Sequence, residues 1–427
     1  MSDFGTHRLS IAAKWDRPVV STTGGQATLL LRITAGSAPL PPIALRPAIN
    51  VAFALDCSGS MTGAKLALAK QAAATAVDRL RAKDRVALVA FDSDVHRVFS
   101  LTEATGVNKR ALKQAIGRIE SNSATNLSGG WLEAANELAQ AMTGDPNRGR
   151  VRRTLLLTDG QANHGITLPH ELALHASALR RRGIGTTTLG IGDDFDETLL
   201  SSMAEAGGGN FQFIEHPNEL PAFFDRETTK MLSVAAPSLS LALNVAPGAR
   251  VELINPFPME EINGQLIVSL GDLAATDEIT LIFLVDLPPA PIGVEHTGYV
   301  NASWFNHATW ADANQRQPLD GLRWAGRDEV EAAPADPEVR ERAAMQRAHV
   351  EQRAAMRLDR EGRHGESRQR LSHARDLLSA APASAPVRAL HADIDFLAEV
   401  SESVPFDETT RKRTTSDAFR RSRKSER

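Results

Sequence analysis

The spacing of apolar and polar positions divides the chain into four regimes and a tail. Residues 7–46 alternate with period two in RLSIAAKW and ATLLLRIT, then run into the proline-rich SAPLPPIALRP. Such alternation bounded by turn residues predicts strands. From Asn50 short continuous apolar runs alternate with longer helical patterns. NVAFALD, VALVAFDS, HRVFSL, RTLLLTD, GTTTLGIG and NFQFIE read as strands. Helices are predicted near Ala64–Arg81, Lys109–Glu120, Leu127–Met142, Pro169–Arg182, Asp196–Ala206 and Glu219–Leu232. Runs such as NVAFAL and TLLLT have no polar face, as expected of strands covered on both sides. Strands alternating with helices predict right-handed crossovers and a mostly parallel sheet.

After Ser233 the helical patterns stop. SLSLALNV, RVELI, GQLIVSLGDL, EITLIFLVDL and TGYVNASW predict antiparallel strands separated by Gly, Pro and Asp. The N-terminal strands have no helices of their own, so they are expected to pair with these later ones. The fold class expected is a doubly wound α/β domain with a mostly parallel sheet, inserted in an antiparallel β-sandwich and followed by a helical segment. The expected boundaries are 1–47 for the first sandwich strands, 48–232 for the α/β domain, 233–325 for the rest of the sandwich and 326–400 for the helices. Residues 401–427, ending in RKRTTSDAFRRSRKSER, are expected to form a disordered basic tail.

Composition narrows the function classes. The chain has 427 residues, 42% apolar and 23% charged, with a net charge of −4. Nothing global favours nucleic acid or a membrane surface, and the basic clusters Arg411–Arg413 and Arg420–Lys424 are confined to the tail. No nucleic-acid or membrane partner is therefore expected. The single cysteine, Cys57, excludes an internal disulfide framework and a cysteine-based zinc cage. The N-terminus has no basic region followed by an apolar one, and no stretch reaches the roughly 18 apolar residues of a membrane helix. The expected compartment is the cytoplasm.

The chemistry concentrates at two predicted strand tips and one polar loop. Asp56-Cys57-Ser58-Gly59-Ser60 ends one apolar run, Asp159 ends another, and Thr125 lies in the polar loop SNSATN before a helix. Ligands of open α/β sheets bind at the carboxyl ends of the strands, where the strand order reverses. Taken singly, Asp56, Ser58 and Ser60 are also good helix caps. Asp159 could serve as a turn residue before Gly160, and Ser123 could replace Thr125 in register. Together the five offer two carboxylates and three hydroxyls, the oxygen donors that Mg²⁺ prefers.

Asp56-x-Ser58-x-Ser60 followed by Thr125 and Asp159 resembles the metal-ion-dependent adhesion site of von Willebrand factor A domains. LTDGQAN and VAFDSDV are also similar to that family, and the resemblance covers roughly residues 48–232. It implies that Asp56, Ser58, Ser60, Thr125 and Asp159 hold Mg²⁺, or alternatively Mn²⁺ or Ca²⁺. It further implies a protein partner whose Asp or Glu carboxylate completes the coordination. Strands on both sides of the domain resemble the arrangement of bacterial and inter-alpha-trypsin-inhibitor heavy-chain proteins. The expected function is metal-dependent protein binding as a scaffold. The alternative is a recognition or regulatory subunit beside a separate AAA+ ATPase or other enzyme.

No catalytic role is expected. PHELALH places His170 and His175 five apart, which separates them by roughly 140° around a helix and spoils a shared zinc. The chain contains neither a GxxxxGK[ST] phosphate loop nor a GxSxG elbow. AMRLDREGRHGESRQRLSHARDLL resembles one tetratricopeptide-like hairpin. A single hairpin is short of the three or so repeats a stable array needs, so a bundle packed on the sandwich, or a coiled-coil contact with another chain, is the favoured reading.

Overall fold

A computed structural model describes residues 9–35, 48–122, 124–141, 151–159, 162–192, 195–216, 219, 222–223, 226–227, 229–230, 233–262, 264–275, 277–306, 311–403, 406–423 and 425–426. The chain begins with β1 (Leu9–Trp15), β2 (Val19–Ser21) and β3 (Gly25–Ala35). The α/β unit then follows. Its strands are β4 (Ile49–Asp56), β5 (Arg85–Phe91), β6 (Val95–Glu103), β7 (Val151–Thr158), β8 (Ile184–Ile191) and β9 (Gly208–Ile214). Its helices are α1 (Ala64–Arg79), α2 (Gly106–Gly117), α3 (Leu127–Gln140), α4 (Pro169–Arg181) and α5 (Glu197–Gly207). Several residues of the helix expected over Glu219–Leu232 lie outside the described residues, as does Ser123.

The strand order is β6-β5-β4-β7-β8-β9, parallel throughout except for the antiparallel edge strand β6. Every residue of β4 and β7 is buried. That burial explains why neither strand shows alternation in sequence. Alternate side chains feed two cores. Val51, Phe53 and Leu55 pack with α1 and α2, while Ala52 and Ala54 pack with Leu127, Trp131 and Leu172 on the opposite face. The chain leaves β4 towards β5 and β6, then returns to β7 on the other side. The strand order therefore reverses between β4 and β7.

The sandwich is completed by β10 (Val234–Asn244), β11 (Arg250–Leu253), β12 (Met259–Ile262), β13 (Gln265–Ala274), β14 (Asp277–Leu287), β15 (Tyr299–Asn306), β16 (Ala311–Pro318) and β17 (Arg323–Ala325). One sheet has the path β1-β3-β14-β11, and the other has the order β12-β13-β10-β15-β16. β3 pairs with β14 from Glu278 opposite Thr34 to Leu287 opposite Gly25. Residues before and after the α/β unit thus share one sheet. Leu29, Leu31 and Ile33 of β3 and Leu281, Phe283 and Val285 of β14 face Leu241, Val268 and Val300 of the opposing sheet in one core. The period-two alternation read from the sequence reflects the residues given to this core, while Leu30 and Ile282 on the other face are covered by Val339.

The helices are α6 (Arg327–Ala332), α7 (Pro337–Arg360), α8 (His364–Ser379), α9 (Ala385–Ser403) and α10 (Glu408–Arg423). α7 starts with Asp336 capping the amides of Glu338 and Val339. It spans both earlier units. Glu338 pairs with Arg32 of the sandwich, while Arg353 and Arg360 pair with Glu205 and Asp196 of the α/β unit. α7, α8 and α9 share a small core that includes Ala355, Leu371, Leu390 and Ile394.

The tail corrects the expectation of disorder beyond Ser401, because Glu408–Arg423 is helical. Its mean polarity hid a buried face. Lys412, Thr415, Ser416, Ala418 and Phe419 are buried, at helical spacing. Phe419 meets Phe211 edge to face at 6.1 Å, and the Lys412 ammonium lies 4.8 Å from the Phe195 ring centre. The basic residues are matched as well: Arg411 lies 3.4 Å from Asp359, Arg413 pairs with Glu215, and Arg421 lies 2.8 Å from Asp393. A stretch that reads as a solvated basic run is a helix seated on acidic neighbours.

Phe419→Ala is expected to weaken the seating of α10 by about 3 kcal/mol, the usual cost of deleting a buried phenyl ring. Trypsin cleavage between Arg411 and Arg421, followed by mass spectrometry, reads this directly. Cleavage no faster than in the wild type would show that the ring does not hold the helix.

Candidate functional site

Parallel pairing of β4 with β7 sets Leu55 opposite Leu157, so both strands end at the same level. Asp56 closes β4, and Asp159 follows β7 directly; both side chains are fully buried. The chain turns sharply after Asp56. The Ser58 amide donates to Asp56 Oδ1 at 2.8 Å, and Thr158 Oγ1 donates to Asp56 Oδ2. A short 3₁₀ turn over Gly59–Met61 brings Ser60 back over the strand tips. Ser58 Oγ and Ser60 Oγ are 3.1 Å apart, and Ser60 Oγ donates to Asp159 Oδ1 at 2.9 Å. Asp56, Ser58, Ser60 and Asp159 therefore form one connected cluster of oxygens.

Thr125 arrives from the neighbouring loop. It is buried, its amide donates to Asn163 Oδ1 at 3.0 Å, and its carbonyl accepts from the His164 amide at 3.2 Å. The same loop is tied to the first by Asn122 N–H on Cys57 O at 2.8 Å and to β5 by Asn126 N–H on Asp92 O at 2.6 Å. Asn126 then caps α3 by accepting from the Gly129 amide. Backbone bonds thus hold the loops carrying the five sequence-identified residues around one spot at the carboxyl edge of the sheet. No described side-chain bond joins Thr125 to the other four.

Electrostatics at this spot are unbalanced towards negative charge. Burial pushes the Asp56 carboxyl up to about 6, and the Asp159 charge adds to that, against the hydrogen bonds from Thr158 and Ser58. One cation reaches in from the protein itself, a residue the sequence reading passed over. Lys65 Nζ in the first turn of α1 lies 2.6 Å from Asp159 Oδ2. Its side chain crosses Gly192, where a Cβ would stand 2.8 Å from Lys65 Cε and where φ is +73°. Gly192, just after β8, thus makes room for this lysine. Thr158 was also missed, because nothing in a strand's final threonine signals that it bonds a carboxylate on the next strand.

Cys57, between the ligand candidates, is buried and donates its thiol to Phe91 O at 3.3 Å. Burial pushes the thiol up to about 12, helped by Asp92 and Asp56, so it carries no thiolate at neutral pH. His170 and His175 lie exposed on α4, remote in role from the cluster. Among the described residues no three His, Cys, Asp or Glu side chains gather as a ligand set. Any ion held here would rest on the mixture of two carboxylates and hydroxyls.

Residues 50–226 match the family model of the von Willebrand factor type A domain. Over this span the chain has the fold of a von Willebrand factor A domain. The sequence is 28% identical over 261 residues to the uncharacterized protein YfbK of Escherichia coli, covering 59% of this chain and 44% of that protein. It is 30% identical over 219 residues to the uncharacterized protein sll0103 of Synechocystis, covering 49% and 47%. Inter-alpha-trypsin inhibitor heavy chain H3 of Rattus norvegicus is 24% identical, covering 67% and 34%. The chain thus spans less than half the length of each of these relatives. Among solved structures, a von Willebrand factor type A protein from Catenulispora acidiphila superposes with a TM-score of 0.74 at 20% identity, covering 99% of this chain and 98% of that one. The ArnB paralog VWA2 from Sulfolobus acidocaldarius gives 0.60 at 17% identity, covering 97% and 98%. Those two likenesses run the whole length, so A domain, sandwich and C-terminal helices form one shared architecture.

Because the Asp56 carboxyl in the folded protein titrates above its ordinary value of 3.8, its contribution to stability is complete below about pH 4 and is lost as pH rises through about 6. In chelator-treated protein the loss between pH 4 and 7.5 is expected to reach about 3 kcal/mol relative to Asp56→Asn, from a shift of about two units. Denaturant midpoints of both proteins at the two pH values measure it. Parallel pH curves for the two proteins would overturn the assignment.

Proposed function

We propose that the cluster at the ends of β4 and β7 holds a divalent cation, and that the protein works by binding another protein through that ion. The carrying observation is the connected oxygen cluster itself, in which Asp56, Ser58, Ser60 and Asp159 converge although Ser60 and Asp159 lie 99 residues apart. Two buried carboxylates with hydroxyl neighbours suit a hard ion such as Mg²⁺, with Mn²⁺ or Ca²⁺ as alternatives. A divalent cation also balances two carboxylates better than one lysine does. Asp56 and Asp159 would supply the negative charge, and Ser58, Ser60 and Thr125 neutral oxygens. When bound, the ion supplies a Lewis-acidic centre that favours an anionic oxygen from outside.

The remaining roles belong to the chain. Thr158 and the Ser58 amide hold the Asp56 carboxylate in one orientation, and Lys65 neutralises Asp159 from the side of α1. The backbone ties among residues 57, 122 and 163–164 keep the rim rigid, which lowers the entropic cost of docking a partner. The partner chemistry that fits is a protein surface presenting an Asp or Glu carboxylate. Domains of this family are generally interaction and adhesion modules, which favours binding over catalysis.

Titration calorimetry with Mn²⁺ is expected to show one saturable site in the wild type. Asp159→Ala should weaken it at least roughly tenfold, since one of two charged donors is gone. A wild type that does not saturate at millimolar Mn²⁺ would sink the metal reading. A pulldown then tests the use of the site, with wild type in Mg²⁺, wild type in chelator and Asp159→Ala in Mg²⁺. A protein retained only in the first sample supports a metal-bridged partner. If that protein hydrolyses ATP, the chain acts as a recognition subunit for it. Equal retention in all three would move the binding surface elsewhere.

A further inference from the structure

A second site lies away from the metal cluster, beyond the open edge of the A-domain sheet. A cavity of about 580 Å³ separates β9 from helices α7, α9 and α10. That volume lies within the range of pockets for small organic ligands, roughly 300–1,000 Å³. One part of its wall is apolar, with Phe211 and Phe223 on the sheet side and Met345, Leu390 and Phe419 on the helix side. The other part is cationic, with Arg226, Lys230, Arg342 and Arg421.

The charge balance sets the ligand's sign. Lys230 lies 3.5 Å from Asp277 and Arg421 lies 2.8 Å from Asp393, so these two have carboxylate partners. The one acid in the wall, Glu227, is buried and occupied: it accepts from Thr187 Oγ1 at 2.9 Å and from Asn210 Nδ2 at 2.5 Å. Among the described residues Arg226 and Arg342 have no carboxylate partner. Two guanidinium groups thus face one cavity without a counterion. His349, also in the wall, is held neutral by burial, which pushes its imidazole down to about 4, so it neither adds to nor offsets that charge at neutral pH.

We infer that this cavity binds a small organic anion, whose carboxylate- or sulfonate-like head pairs with Arg226 and Arg342 and whose apolar body lies against Phe211, Phe223 and Leu390. Arginine suits this role because its planar fork pairs with such heads through two parallel hydrogen bonds. The walls come from the A domain and from three C-terminal helices, so ligand binding fastens the helical segment onto the edge strand.

The test uses the full chain and two fluorescent probes that share an apolar body. 8-Anilinonaphthalene-1-sulfonate carries the anionic head, and N-phenyl-1-naphthylamine lacks it. The sulfonate is expected to bind one-to-one and roughly tenfold more tightly than the neutral probe, as a charge-assisted pair predicts. Arg226→Ala/Arg342→Ala should remove that preference. Arg327→Ala should keep it, since Arg327 is exposed and paired with Glu331 away from the cavity. Ala389→Trp supplies the second handle. Ala389 is exposed on the cavity wall, so the indole fills the space without disturbing a core, and it should abolish sulfonate binding with an unchanged circular dichroism spectrum. Equal binding of the two probes would overturn the inference. So would sulfonate binding that survives either Ala389→Trp or the double arginine variant.

Discussion

The structure turns on the parallel pairing of β4 and β7 and on the chain reversal between them. Parallel strands in register must end together, so residues at their tips are brought within reach across a long sequence separation. Both strands are buried along their whole length, and that burial carries the carboxylates Asp56 and Asp159 out of water with them. A carboxylate there is costly unless something compensates for it. The answers are local and visible: an amide from Ser58, hydroxyls from Thr158 and Ser60, and the ammonium of Lys65. The geometry of the cluster follows from satisfying those two groups.

The surrounding units are organised around the same domain. β3 and β14 zip together on either side of the insertion, so the entry and exit of the A domain are fixed to one sheet. α7 then bridges the two units, with Glu338 on Arg32 at one end and Arg360 on Asp196 at the other. The relative placement of sandwich and A domain therefore rests on a rod whose two ends carry charges of opposite sign. Arg153 of β7 adds a direct link, 3.0 Å from Asp272 of the sandwich.

Most of this was legible in the sequence where one physical signal dominated. The apolar runs NVAFAL and TLLLT marked doubly covered strands, and the alternation in ATLLLRIT marked a strand that gives Leu29, Leu31 and Ile33 to the sandwich core, although Leu30 is buried on its other face against Val339. The convergence of Asp56, Ser58, Ser60 and Asp159 was foreshadowed by polar residues standing where the apolar runs of β4 and β7 break off. Signals that depend on tertiary partners were not legible. Lys65 reads as one more helix-surface lysine until Gly192 is seen to open its path to Asp159. The tail misled for the same reason. Its basic residues read as solvated until Glu197, Asp359, Glu215 and Asp393 are set opposite them, and Phe419 finds its partner Phe211 some 200 residues earlier.

That last contact bears on solubility. β9 ends the sheet, and the outer side of an edge strand is a template on which a strand from another molecule can add. α10 packs beside β9 through Phe419 and Arg413, placing a helix with several arginines next to that edge. While it is seated, a second chain approaching that strand meets the bulk of this helix beside it. A molecule that loses this helix keeps the loops at the tips of β4 and β7, and uncovers the Phe211 side of the edge strand.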